Sequence, residues 1–208
     1  MKKKRLINWL CLSGVISVIF YLLHDIIGSL NYPGYNWMAQ AVSDLTATDA
    51  PSYVIARGYS DIYGIFSCMC CVLLCILIRN RRSKEFRIGI YLFSIMNLVS
   101  AIGYSLFPLT SNGYDGSIQS FIHVYVITIL VVLLSIVSLV MIAIGSYKDK
   151  YKSLMVISII ALIFMFIGAA GSQSVPKEIF GIVERFSTYS AVIYTGILGL
   201  YGFNVFRS

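Results

Sequence analysis

Apolar runs of about 20 residues constrain this chain more than any other feature of its sequence. At 1.5 Å of rise per residue, a helix of that length crosses roughly 30 Å of hydrocarbon. A segment in lipid must satisfy its own backbone hydrogen bonds, and a helix does so within one segment. Six such runs are predicted, at about Leu6 to Leu30, Arg57 to Ile78, Ile88 to Phe107, Ile118 to Gly145, Leu154 to Gly171 and Ile182 to Phe203. The second has an earlier start signal, with Asp49 as cap and Pro51 in the first turn; Pro108 stops the third. Only 12% of the 208 residues are charged, about half the share of a soluble domain. The expected fold is therefore an all-α integral membrane protein, one domain over 1–208, built as a bundle of six transmembrane helices.

The net charge of +7 raises the question of nucleic acid, and the placement of the bases answers it. Lys2, Lys3, Lys4 and Arg5 precede the first run; Arg79, Arg81, Arg82, Lys84 and Arg87 lie between the second and third. Lys148, Lys150 and Lys152 separate the fourth and fifth, and Arg207 follows the sixth. With thirteen of the sixteen bases on one side, the positive-inside rule puts both termini in the cytoplasm of a cell-membrane protein. The basic character then reports topology and contact with anionic lipid, and no nucleic-acid partner is expected. Met1 to Leu23 reads as a signal anchor, because no small-residue cleavage site follows it.

Seven of the nine acids, Asp25, Asp44, Asp49, Asp61, Asp115, Glu178 and Glu184, fall on the other side or in the helix halves nearest it. Ionisable groups within a span cost about 2.5 to 3.5 kcal/mol each and usually face the bundle interior. Here they are His24, Asp25, Asp61, His123, Glu184 and Arg185, all in the outer third to half. His24 lies six residues before Leu30 and His123 five into its helix, so both sit roughly 9 Å deep and can meet around one cavity. Bland readings stand beside these. Asp115 before Ser117 fits a helix cap, Arg185 with Tyr189 fits an internal brace, and His123 fits a hydrogen-bonded core histidine.

The stretch from Asn31 to about Ala50 is the one long connection, and Trp37 to Val42 is predicted as a short surface helix within it. Cys11, Cys68, Cys70, Cys71 and Cys75 all lie in the first two runs. A helix puts Cys68, Cys71 and Cys75 on one face and Cys70 elsewhere, and they read as packing residues rather than a metal site. Gly196, Gly199 and Gly202, with Gly168 and Gly171, mark faces where helices approach closely.

Pro33-Gly34-Tyr35, then Val42-Ser43-Asp44-Leu45 and Ala50-Pro51, together resemble the first outer loop of the bacterial and archaeal membrane family known as domain of unknown function 998. Gly103-x-x-x-Phe107-Pro108, His123 and Gly181-x-x-Glu184-Arg185-x-x-x-Tyr189 continue the resemblance along nearly the whole chain. Members of that family place an Asp soon after Phe-Pro; this chain has Leu109-Thr110 there, with Asp115 as the nearest acid. A weaker likeness, in a Ser-Asp loop and a His in span four, is to six-helix proteins of the damage-regulated autophagy modulator type. The resemblance implies a fold and a polar site, and no assigned activity.

Two classes of function follow. In the first, a polar outer-leaflet pocket binds a membrane lipid or small ligand through His24, Asp25, Asp61, Arg185 and Tyr189. In the second, a membrane-embedded hydrolase or lipid-modifying enzyme uses Ser43 as nucleophile or polar anchor and His123 as base, with Asp44, Asp61 or Glu184 orienting the base and Arg185 holding a phosphate or carboxylate. Against the enzyme, no HExxH, GxSxG or His-x-x-x-His pattern occurs; a metal variant would draw on His24, His123 and the acids, but two histidines are few for such a site, and no metal or cofactor is expected. Nothing in the pattern fixes an oligomeric state.

Overall fold

The computed structural model describes residues 5–79, 82–110 and 113–206. Lys2, Lys3, Lys4, Arg81 and Arg207, counted above for orientation, lie outside these. Among the described residues there are only helices and loops: α1 Leu6–Leu10, α2 Ser13–Leu30, α3 Tyr53–Ile78, α4 Lys84–Leu106, α5 Ile118–Phe121, α6 Thr128–Lys148, α7 Lys152–Gly171 and α8 Phe180–Asn204. One turn of π-helix, Ile122–Ile127, joins α5 to α6 into a single 31-residue element. Five segments are long and apolar enough to cross a membrane: Leu6–Leu30, Tyr53–Ile78, Lys84–Leu106, Ile118–Lys148 and Lys152–Gly171. The sixth, α8, has the length but not the apolarity, since Gly, Ser, Thr and Tyr fill much of it.

The six long helices pack in chain order, α2 on α3, α3 on α4, α4 on α6, α6 on α7 and α7 on α8, and α8 returns to α2. The result is a closed ring. Its outer faces carry large apolar side chains such as Ile65, Ile76, Ile95, Leu133 and Ile163, while Ser17, Ser67, Ser135, Ser138 and Ser158 are buried inside. Each of these serines donates to a carbonyl three or four residues back, which satisfies the hydroxyl within its own helix, and Ser158 also bonds the Tyr194 hydroxyl across to α8 at 2.6 Å. Apolar outside and small-polar inside is the arrangement expected of helices surrounded by lipid rather than water.

Glycines set the helix spacing. A Cβ at Gly199 would lie 2.5 Å from the Cys11 carbonyl oxygen, one at Gly145 2.3 Å from the Phe86 nitrogen, and one at Gly168 2.2 Å from the Ser187 nitrogen. Backbones thus meet directly at the α8/α2, α6/α4 and α7/α8 seams. The ring is solid at the end carrying the termini, where Cys70, Cys71, Leu74, Phe86, Phe93, Tyr194 and Phe206 share one core. There Asn8 Nδ2 ties the first helix to the last, donating to the carbonyls of Gly202 (2.7 Å) and Phe206 (3.0 Å).

The cysteines divide by face. Cys68 and Cys75 reach α4, at the Asn97 carbonyl (3.8 Å) and Ser94 Oγ (3.1 Å), while Cys70 reaches the Cys11 carbonyl at 3.4 Å. All five are free thiols.

Several boundaries differ from expectation. Helix α3 starts at Tyr53 after Ser52, four residues before Arg57, because Arg57 is accommodated inside the helix by pairing with Asp61 at i+4. Asp49 is exposed and caps nothing there. The predicted helix from Trp37 to Val42 is instead a turn followed by a 3-10 helix, Val42–Thr46. The reason is that the carbonyls of Trp37 and Gln40, which a continuing helix would need, are taken by Arg185.

Candidate functional site

The end of the ring opposite the termini is hollow. A cavity of about 1290 Å³ is bordered by residues from all six long helices and from the 31–52 loop, larger than most small-molecule sites. Of the residues expected to form a site, His24, Ser43, Asp44, Asp61, His123 and Glu184 border it. Asp25, Arg185 and Tyr189 do not, and they form a separate assembly that holds the wall.

That assembly is a buried ion pair. Arg185 on α8 grips Asp25 on α2 with both ends of its fork, Nη2 to Oδ1 at 2.8 Å and Nε to Oδ2 at 2.9 Å, and both side chains are over 90% buried. Nη1 donates to the carbonyls of Trp37 (2.7 Å), Gly181 (2.9 Å) and Gln40 (3.1 Å), and Nη2 also donates to Tyr35 Oη at 2.9 Å. Tyr189 donates to Asp25 as well. With every N–H of the guanidinium engaged, Arg185 has no donor left for a phosphate or carboxylate ligand. It pins the loop onto two helices. Gly181 lets the loop settle there, since a Cβ would fall 2.3 Å from the Gln40 carbonyl oxygen. Tyr35 passes the bond on to the Ala41 carbonyl at 2.8 Å, and burial pushes its phenol up from its ordinary value.

Asp44 is 5% exposed. Its carboxylate accepts from the amides of Ala41 (Oδ2, 3.1 Å) and Gly113 (Oδ1, 3.1 Å), joining the loop between α2 and α3 to the loop after α4. Burial raises its pKa against the pull of those two amides. Asp115 is not the helix cap expected from its position: Ser117 is, its hydroxyl accepting from the Ser120 amide at 3.1 Å, and Asp115 braces the turn before it. It accepts from the Ser117 amide at 2.9 Å and from the hydroxyls of Ser120 and Thr110, and the Ser120, Thr110 and Ser117 hydroxyls hold it well below the usual carboxylate range.

His123 stands on the π-helical turn, 5% exposed. Its Nδ1 is 2.7 Å from the Phe107 carbonyl oxygen. A carbonyl only accepts, so Nδ1 carries the proton and Nε2 keeps the lone pair in the neutral ring. The ring packs against Tyr104, centroids 4.7 Å apart. The π turn moves the His123 carbonyl's backbone bond one residue on, to the Thr128 amide, and Thr128 Oγ1 also donates to it at 2.9 Å. Such turns recur at functional positions. The acids expected to orient His123 are engaged elsewhere: Asp44 with amides, Asp61 with Arg57 (2.9 Å), Glu184 with Thr188 (2.9 Å). His24 is likewise held from a carbonyl, Ala56 at 2.9 Å. Ser43 lies half-buried at the cavity edge.

Sequence reasoning missed Arg57, which borders the cavity and also donates to Ser105, and missed Tyr21, Tyr63 and Tyr104 as cavity walls. The Arg57-x-x-x-Asp61 spacing was the available signal for the first. Among the described residues no three His, Cys, Asp or Glu side chains gather as metal ligands.

An all-helical ring with an apolar exterior, around a hollow lined by apolar and polar side chains, defines a multi-pass membrane protein. The chain belongs to a specific family of these: the model described as "Protein of unknown function (DUF998)" matches residues 15–201. No curated protein and no solved structure matches the chain.

Proposed function

We propose that this protein spans the cell membrane six times with both termini in the cytoplasm, and that its cavity opens in the outer-leaflet half and binds a lipid or small amphiphile. The observation that carries the reading is the hollow itself: the ring closes tightly at one end, while at the other polar side chains from distant parts of the chain surround one space. The α8 helix, too polar by composition alone, is suited to span because protein covers it on two sides, α2 and α7. Lys84, Arg87, Lys148, Lys150 and Lys152 lie at the solid end, where the positive-inside rule places the cytoplasm.

The binding reading is tested by purifying the chain with its native lipids and comparing it with a Ser43→Ala/His123→Ala variant. Wild type is expected to carry a lipid species that the variant loses; equal retention by both overturns the reading. A second reading, lipid-modifying chemistry, draws on His123, whose proton is fixed on Nδ1 so that Nε2 is free to act as a base, with Ser43 bordering the same cavity. Its signature in the same experiment is a lipid converted by wild type and left intact by the variant.

Orientation has a separate expected outcome. A cysteine replacing Ser83 is protected from impermeant thiol reagents in intact cells, while one replacing the exposed Asp49 reacts. The native cysteines are buried or half-buried within the bundle and give low background. The inverse labelling pattern would reverse the topology.

A further inference from the structure

The polar atoms around the cavity are unevenly matched. Glu184 Oε1 accepts from Thr188, but Oε2 is shut off from solvent and has no hydrogen-bond partner. The Val42 amide lies nearby without reaching bonding geometry. Ionised, Oε2 is an acceptor without a donor. A buried orphan of this kind calls for an explanation. Neither neighbouring arginine supplies one: Arg185 is saturated on the far side of the wall, and Arg57 is committed to Asp61 and Ser105. Apart from histidine, the charged residues bordering the cavity are Asp44, Asp61 and Glu184 against Arg57 alone. His123 adds a further acceptor through Nε2. Tyr21 and Tyr104 are both within electrostatic reach of Glu184, and Tyr63 packs edge-on to Tyr21 at 4.8 Å between centroids.

A largely apolar space whose charged residues are mostly acidic and whose walls include aromatic rings suits a group that donates and carries positive charge. For an anion it holds one guanidinium, Arg57, already committed to Asp61 and Ser105. With no trio of metal-ligating side chains among the described residues, the cation it fits is organic. Resting on the reading of the cavity as a ligand site, we propose that its ligand presents a protonated primary amine, with Glu184 as counter-ion, His123 Nε2 as a second acceptor and the rings of Tyr21, Tyr63 and Tyr104 as walls.

The full chain, solubilised in an uncharged maltoside detergent, is titrated with dodecylamine, dodecanol and dodecanoate, and separately with butylamine, following heat unfolding and probe retention. Dodecylamine is expected to bind wild type at least tenfold more tightly than dodecanol at neutral pH, and Glu184→Gln to erase that difference while dodecanol binding persists. Glu184→Asp keeps part of it, and the head-group preference of wild type is itself decisive if Glu184→Gln fails to fold. Butylamine binding as tightly as dodecylamine also supports the amine and identifies a free small molecule as its source; weak butylamine binding identifies an amphiphile. Dodecanol or dodecanoate binding as well as dodecylamine, with loss in His123→Ala, overturns the amine while leaving the cavity a ligand site. If no probe binds, both readings fall.

Discussion

Replacing Arg185 with methionine is expected to destabilise the protein by about 3 to 5 kcal/mol, the cost of leaving one member of a buried ion pair alone. In a chain of this size that lowers the unfolding midpoint by roughly 6 to 20 °C, measured as loss of the folded species from size-exclusion profiles after heating in detergent. The effect is large because the guanidinium satisfies many acceptors at once: both oxygens of Asp25, the carbonyls of Trp37, Gln40 and Gly181, and the Tyr35 hydroxyl. Arg185→Lys is expected to recover only part, since an ammonium cannot reproduce the planar fork. Adding Asp25→Leu to Arg185→Met should restore stability partially. It removes the uncompensated charge but leaves the loop carbonyls unserved. A midpoint unchanged in Arg185→Met would show that the pair holds nothing together.

The second large effect is steric. Gly145→Ala places a methyl group where the Phe86 nitrogen and Cα already are, at 2.3 and 2.4 Å. Backbone cannot rotate aside as a side chain can, so α4 and α6 must separate, and a cost of about 1 to 3 kcal/mol is expected, with Gly145→Val costing more. Gly58 is the control. It lies exposed in α3 with nothing within 4 Å of a Cβ, and Gly58→Ala is expected to be neutral or to stabilise by up to about 1 kcal/mol through helix propensity. Heat unfolding of the two alanine variants side by side distinguishes seam contact from a general intolerance of glycine replacement.

The local features were legible in the sequence and the pairings were not. Apolar run length located the helices because hydrocarbon thickness sets it, and Pro108 marked the end of α4. Equal depth placed His24 and His123 around one space, since rise per residue is fixed once a helix is assigned. What could not be read was which polar groups would meet. Asp25 and Arg185, 160 residues apart, were expected as ligand contacts and instead satisfy each other. Their adjacency depends on α8 returning to α2, which no periodicity encodes. The Trp37 turn was missed for the same reason: a remote arginine takes the carbonyls a local helix would have used. The π turn at Ile122–Ile127 carries no proline or glycine to announce it.

Because the ring closes in chain order, its last seam joins the first long helix to the last. Synthesis from the N-terminus inserts α2 long before α8 exists, so Asp25 waits in the membrane without its arginine through most of translation. The intermediate with five helices has an open flank along α2, a loop not yet pinned, and no enclosed hollow. The final helix therefore acts as a keystone, and a nascent chain stalled before Arg185 should expose that flank to whatever insertion or quality-control factors the membrane holds.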